Sequence, residues 1–263
     1  MSAVRIRRRV LVVPDASPFG LAAVERAVEL AQRIDAELSA LFLEDADLFR
    51  LAALPFAAET GIVSGRRRPL EPALLEAHAR REARRIQQAL AESAGRRGLA
   101  WSFRVQRGSL ARDALLIASG AEAVFFGVVV VAAVVPPRRT AAAGRWVLIT
   151  AAEGNALQRA VDRVLAMADG ACRELLVLLP GASPAAIATQ LPWTLPPGAP
   201  AVTLRAAPPD LGDVLAQARR AGGELLILTG AAPGLTPEQT LGRVLGRTAC
   251  PVLWAPEPSA EVG

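Results

Sequence analysis

Few side chains of this protein carry reactive chemistry. His78 is the one histidine, and Cys172 and Cys250 are the two thiols. All 30 basic residues are arginine, and neither lysine nor tyrosine occurs. Without lysine there can be no P-loop lysine, no Schiff base and no kinase-type phosphate-pairing lysine. One histidine excludes a two-histidine metal site, and two cysteines exclude a four-cysteine zinc site. A Ser-His-Asp triad would have to use His78. No Gly-x-Gly pair occurs, so the dinucleotide fingerprint is absent. What is left favours a protein that binds or regulates over one that catalyses. His78 lies in an arginine-rich stretch and reads as a surface residue. The cysteines show no disulfide-framework spacing and read as small buried hydrophobes.

The elements that would position any site alternate in type. The chain has 263 residues, 52% hydrophobic and 21% charged, a globular balance and a length for roughly two domains. Val10–Val13 is a short apolar strand. Ser17 is placed to cap a helix from Pro18, with Leu21, Val24, Val28 and Ala31 on one face. Leu38–Leu43 is the next strand. A long connection follows, in which Leu48–Phe56 reads equally as a mobile apolar lid or a packed connection. Pro72–Arg97 reads as a long helix, Trp101–Val105 as a strand, Leu110–Ser119 as a helix capped by Ser109, and Val124–Phe126 as a fourth strand ending at Gly127. The order recurs 137 residues on, from Val10 to Val147. Strands are expected at 146–150, 175–179, 202–204, 225–228 and 252–254, with helices at 157–168, 184–190, 210–220 and 237–247. Trp101 and Trp146 read as core or interface anchors. Such alternation predicts parallel sheets covered by helices on both faces. The boundary is expected near Gly144, giving domains 1–144 and 145–263.

The charge is unevenly spread. Residues 1–144 carry net +6 and residues 145–263 net −1. The arginine clusters, such as Arg80/Arg84 and Arg81/Arg85, could form an anion or nucleic-acid patch. They equally describe a solvated helix face with Glu76 pairing Arg80, and no aromatics interleave as a nucleic-acid surface would require. The longest apolar run, Ala123–Val135, is shorter than the roughly 20 residues of a membrane span. The apolar run behind the N-terminal arginines is too short for a signal-peptide core, so a cytoplasmic location is expected.

Three segments resemble the universal stress protein family. They are Val10-Leu-Val-Val-Pro-Asp15-Ala-Ser17, Trp101-Ser-Phe-Arg-Val-Gln-Arg-Gly108-Ser109 and Leu241-Gly242-Arg-Val-Leu-Gly-Arg-Thr-Ala-Cys250-Pro251-Val-Leu. With the element order, they make the chain look like two fused family domains. The resemblance implies two tandem doubly wound α/β domains, each with strand order 3-2-1-4-5, forming a pseudo-dimer within one chain. Many members bind ATP through an Asp after the first strand and a loop after the fourth patterned Gly-x2-Gly-x9-Gly-Ser/Thr. Glycines there let backbone N–H groups close on phosphate.

Both halves depart from that pattern. The first keeps Asp15, but Gly127 runs directly into Val128–Val135, which leaves room for no phosphate loop and no crossover helix. That run is expected to extend the fourth strand or to cross to the other half's edge. The second half has Gly230, but its next glycine, Gly234, is one place late. Gly242 then comes one place early, and Arg243 replaces the hydroxyl residue. Ala152 takes the Asp position, beside Glu153. Asp15 could touch a ligand or simply tighten its turn, and Gly230, Gly234 and Gly242 could cradle phosphate or simply turn the loop. Were ATP to bind, the second half is expected to hold it, with Arg243 as a charged donor. No cofactor or metal is expected. The resemblance implies a non-catalytic stress-response regulator that works through protein partners, with a homodimer left open. The alternatives are an ATP or AMP sensor using the second domain and a nucleic-acid-associated protein using the basic first one.

Overall fold

The computed structural model describes residues 8–61, 64–110, 113, 116, 121–127, 144–168, 170–189, 195, 198–248 and 250–255. The expected helix at 110–119 lies mostly outside these, and the expected course of Val128–Val135 lies wholly outside them.

Short runs of β-branched and aliphatic residues make the strands. β1 (Arg9–Pro14) is buried on both faces after its first residue, as a central parallel strand must be. Pro14 and Asp15 end it, and α1 (Pro18–Arg33) starts where the Ser17 hydroxyl accepts the Gly20 N–H at 3.1 Å. β2 (Glu37–Asp45) follows. The long connection is ordered as α2 (Ala46–Ala52) and a two-strand hairpin of β3 (Ala58–Thr60) and β4 (Arg67–Pro69). α3 (Pro72–Gly95), β5 (Trp101–Gly108) and β6 (Ala123–Gly127) complete the first half. The second half runs β7 (Arg145–Ile149), α4 (Gly154–Ala168), β8 (Glu174–Pro180), α5 (Pro184–Thr189), β9 (Ala201–Ala207), α6 (Leu211–Ala221), β10 (Leu225–Leu228), α7 (Pro237–Leu245) and β11 (Val252–Trp254). Gly222 ends α6 at φ 71°, the left-handed position that glycine adopts without steric cost.

Among the described residues nine strands form one sheet in the order β5-β2-β1-β6-β11-β10-β7-β8-β9. The second half reads 3-2-1-4-5 in its own strands, as expected. The first half reads 3-2-1-4, and the place beside its fourth strand is taken by β11 from the other half. β11 runs parallel to β10, with Leu253 opposite Ile227, and antiparallel to β6, with Leu253 opposite Phe125. Every other pair in the sheet is parallel.

Alternation along the strands sends Val10, Val12, Leu148 and Ile227 to one face, under α1, α3 and α4. It sends Leu11, Val13, Val147 and Leu226 to the other, under α6 and α7. Each core layer therefore contains residues from both halves. Trp146 is buried in the first layer, as an anchor residue should be. Polar contacts cross the same seam. Arg26 Nη2 donates to Glu224 Oε1 at 2.6 Å, Arg163 Nη2 to the Glu122 carbonyl at 2.8 Å, and Arg33 to the Met167 carbonyl. Among the described residues no helix is long and apolar enough to cross a membrane.

Candidate functional site

In an open parallel sheet, ligands bind beyond the carboxyl ends of the strands, where the strand order reverses. This sheet has two such corners, between β1 and β6 and between β7 and β10.

At the first corner the Asp15 N–H donates to the Gly127 carbonyl at 2.9 Å, tying the ends of β1 and β6 together. The Asp15 Oδ1 accepts the Ser17 N–H at 2.9 Å, so its carboxylate shapes the turn into α1. Among the described residues the chain packs closely at this corner. A Cβ on Gly20 would lie 1.9 Å from the Asp15 carbonyl oxygen, and one on Gly127 would lie 2.6 Å from both the Gly20 Cα and the Ala23 Cβ. Gly127 thus serves close packing of β6 on the first turn of α1.

The second corner is lined by Thr150, Pro180, Leu211, Gly230, Pro233 and Thr240, and its cavity volume is about 10 Å³. Ligand pockets run to roughly 300–1,000 Å³. Its hydroxyls are engaged with the chain itself. Buried Thr229 donates to Thr150 Oγ1 at 2.9 Å, and the same oxygen accepts the Ala152 N–H at 3.1 Å. Thr240, on the inner face of α7, accepts the Ala232 N–H at 3.0 Å and holds the loop after β10 down.

A phosphate in such a fold would seek the free N–H groups at the start of α7. Those donors are satisfied internally. The Thr236 hydroxyl accepts the Gln239 N–H at 3.2 Å, and the Gln239 side chain accepts the Thr236 N–H at 3.0 Å. Glu238 adds a carboxylate in the same turn. Its own backbone N–H and the Thr236 hydroxyl hold that carboxyl below its usual range.

The structure does not assemble the five sequence-derived ligand candidates. Asp15 stands in the first half. Gly230 lines the second corner, whereas Gly234, Gly242 and Arg243 do not. Gly234 turns the loop at φ 73°, and Gly242 and Arg243 lie on the exposed side of α7, Arg243 without a partner among the described residues. Glu153 is exposed, and its carbonyl caps the start of α4. Sequence reasoning missed Thr150, Thr229, Thr240 and Glu238. A threonine directly after each of two buried strands was the available signal.

The reactive side chains lie apart. His78 is on the outside of α3, its Nε2 3.2 Å from Glu82. Burial pushes the Cys172 thiol up to about 11 and the Cys250 thiol up to about 12, so both stay protonated at neutral pH. Among the described residues no three His, Cys, Asp or Glu side chains converge as metal ligands. A second cavity, of about 20 Å³, lies at the seam between the halves beside Phe125, Trp146 and Leu253, and has room for little more than a water.

No protein-family model and no curated protein matches the chain. Solved structures do. A universal stress protein from Archaeoglobus fulgidus matches at a TM-score of 0.50 and 11% identity, over 97% of this chain and 99% of that one. A functionally unknown protein from Pseudomonas aeruginosa matches at a TM-score of 0.46 and 14% identity, over 95% of this chain and 92% of that one. A universal stress protein in complex with cAMP matches at a TM-score of 0.29 and 16% identity, over 43% of this chain and 68% of that one.

Proposed function

The chain has the fold of the universal stress proteins, and we propose that it acts as a non-catalytic regulator of that kind. In this reading it is built from two tandem units, 1–144 and 145–263, and works through protein partners. The supporting observation is that the chain's own groups engage both strand-end corners: Gly127 packs closely against Gly20 in one, and the Thr150 and Thr229 hydroxyls bond each other in the other. A surface relieved of ligand chemistry still offers shape and charge to another macromolecule. Calorimetry with Mg-ATP, Mg-AMP and cAMP tests the first part of the reading. The expected result is no binding at micromolar affinity, which would need about −8 kcal/mol from a corner whose threonine hydroxyls are already engaged. Micromolar binding overturns it.

A second reading keeps a nucleotide sensor in 145–263. It is favoured by the open space around Gly230 and Gly242 and by Arg243, exposed and without a partner among the described residues. The same titration decides between them, and Arg243→Ala would abolish the heat only under the second reading.

A further inference from the structure

From the first half's excursion between β2 and α3, we propose that α2, the β3–β4 hairpin and the start of α3 form a docking surface for an acidic segment of another protein. The segment would carry apolar side chains at helical spacing. The inference rests on the partner-mediated reading above and names the surface and the chemistry of the partner.

Apolar exposure is concentrated here. Leu48, Leu51, Leu54, Phe56 and Leu74 are 39% to 73% exposed, with Phe56 the most. Among the described residues the other large exposed hydrophobics are Val105 and Leu116. Val105 is on the face of β5 that also carries Arg107, whose guanidinium stacks 3.7 Å from the Phe49 ring of α2. The backbone joins the pieces. The Leu70 N–H donates to the Ala57 carbonyl at 3.0 Å, bringing the start of α3 beside the end of α2. α2 turns Phe49 inward onto Phe42, Ala79 and Ile86 and leaves Leu48 and Leu51 outward, three residues apart on one side of the helix. The surface is therefore rigidly backed. It also stands directly beyond the carboxyl end of β2, on the side of the sheet where such folds carry function.

The charge around it selects the occupant. The side chains of Arg66 and Arg67 are exposed and make no hydrogen bond or ion pair among the described residues, and Arg81, Arg84 and Arg85 are exposed further along α3. Arg50 and Arg68 are already matched by Asp47 and Glu59. An apolar centre with a rim of both signs and surplus arginine matches a protein interface. An anionic bilayer favours an unbroken basic cluster, whereas here Asp47, Glu59 and Glu71 interrupt the arginines. A second copy seated face to face would set Arg66 and Arg67 against themselves.

The test uses the whole chain and a phage-displayed random-peptide library. Selected peptides should be rich in Asp and Glu, with Leu, Ile, Met or Phe at i, i+3 or i, i+4. Their affinity should fall about tenfold or more with Phe56→Asp or Leu51→Asp, and about tenfold with Arg66→Glu/Arg67→Glu, the latter flattening the salt dependence. All four positions are exposed, and unchanged thermal melts will show that the variants remain folded. Peptides that survive all three variants overturn the surface while leaving partner-mediated function standing. Failure to select any peptide overturns both. Flotation with phosphatidylglycerol vesicles, or dimerisation in sedimentation, that is abolished by Phe56→Asp assigns the face to a bilayer or a second copy and overturns the proposal.

Discussion

At the scale of single residues, the glycines divide into two kinds that sequence spacing treats alike. Gly20 and Gly127 are places where backbone meets backbone, whereas Gly230 and Gly242 have nothing within 4 Å of a built Cβ. Adding a methyl to a filled contact forces main chain apart, typically costing about 1–3 kcal/mol. Gly127→Ala should therefore lower the unfolding free energy measured in urea by that much with the slope unchanged, and Gly20→Ala should do the same. Gly230→Ala should move it by no more than about 0.5 kcal/mol. Gly242→Ala, in the body of α7, should be neutral or raise stability by up to about 1 kcal/mol. The reverse ranking would mean that the β1–β6 corner is open and the proposed closure of the first half is mistaken. The glycine named after the fourth strand by its position in the sequence is thus a packing residue in one half and a free loop residue in the other.

At the scale of elements, β11 carries more than its three residues suggest. It supplies the fifth strand of its own half and also covers the fourth strand of the other. A central strand has no edge on which proline is tolerated. Leu253→Pro should cost about 3 kcal/mol or more and leave the apolar edges of β6 and β10 bare, so that size exclusion shows association as well as unfolding. A Leu253→Pro chain that stays monomeric with an unchanged midpoint would contradict the shared-strand arrangement. Val252–Trp254 was legible as a strand from its apolar run, and so was Ser17 as a helix cap, because those signals are local. The choice of β6 as a neighbour was not, since it depends on residues more than a hundred positions away. α2 went unread although Asp45, whose carboxylate accepts the Asp47 N–H at 2.8 Å, stands at its start. The hairpin of β3 and β4 has no buried face at all, and so offers no alternation to read. The site was legible only in part. Asp15 and the glycines are visible as residue types, but whether a corner is open depends on how closely two helices approach the strand ends.

For the whole molecule, the continuous sheet decides how it unfolds. Chains beyond about 150 residues commonly unfold in steps, each domain on its own. Here a boundary at Gly144 would have to cut the β6–β11 ladder and two core layers, along with the Arg26–Glu224 and Arg163–Glu122 contacts. Exposing β6 or β11 alone would leave a hydrophobic strand edge in water. The halves are therefore expected to melt together. Leu38 in β2 tests this, because it is fully buried in the first half and β8 lies on the far side of the seam. Leu38→Ala should cost about 2–5 kcal/mol by leaving a cavity. Under cooperative unfolding, native-state hydrogen exchange of the slowest amides in β8 should accelerate by the same free energy as those in β2. If β2 loses protection while β8 keeps its own, the two halves are separate folding units that merely touch, and the nine strands are two sheets in contact.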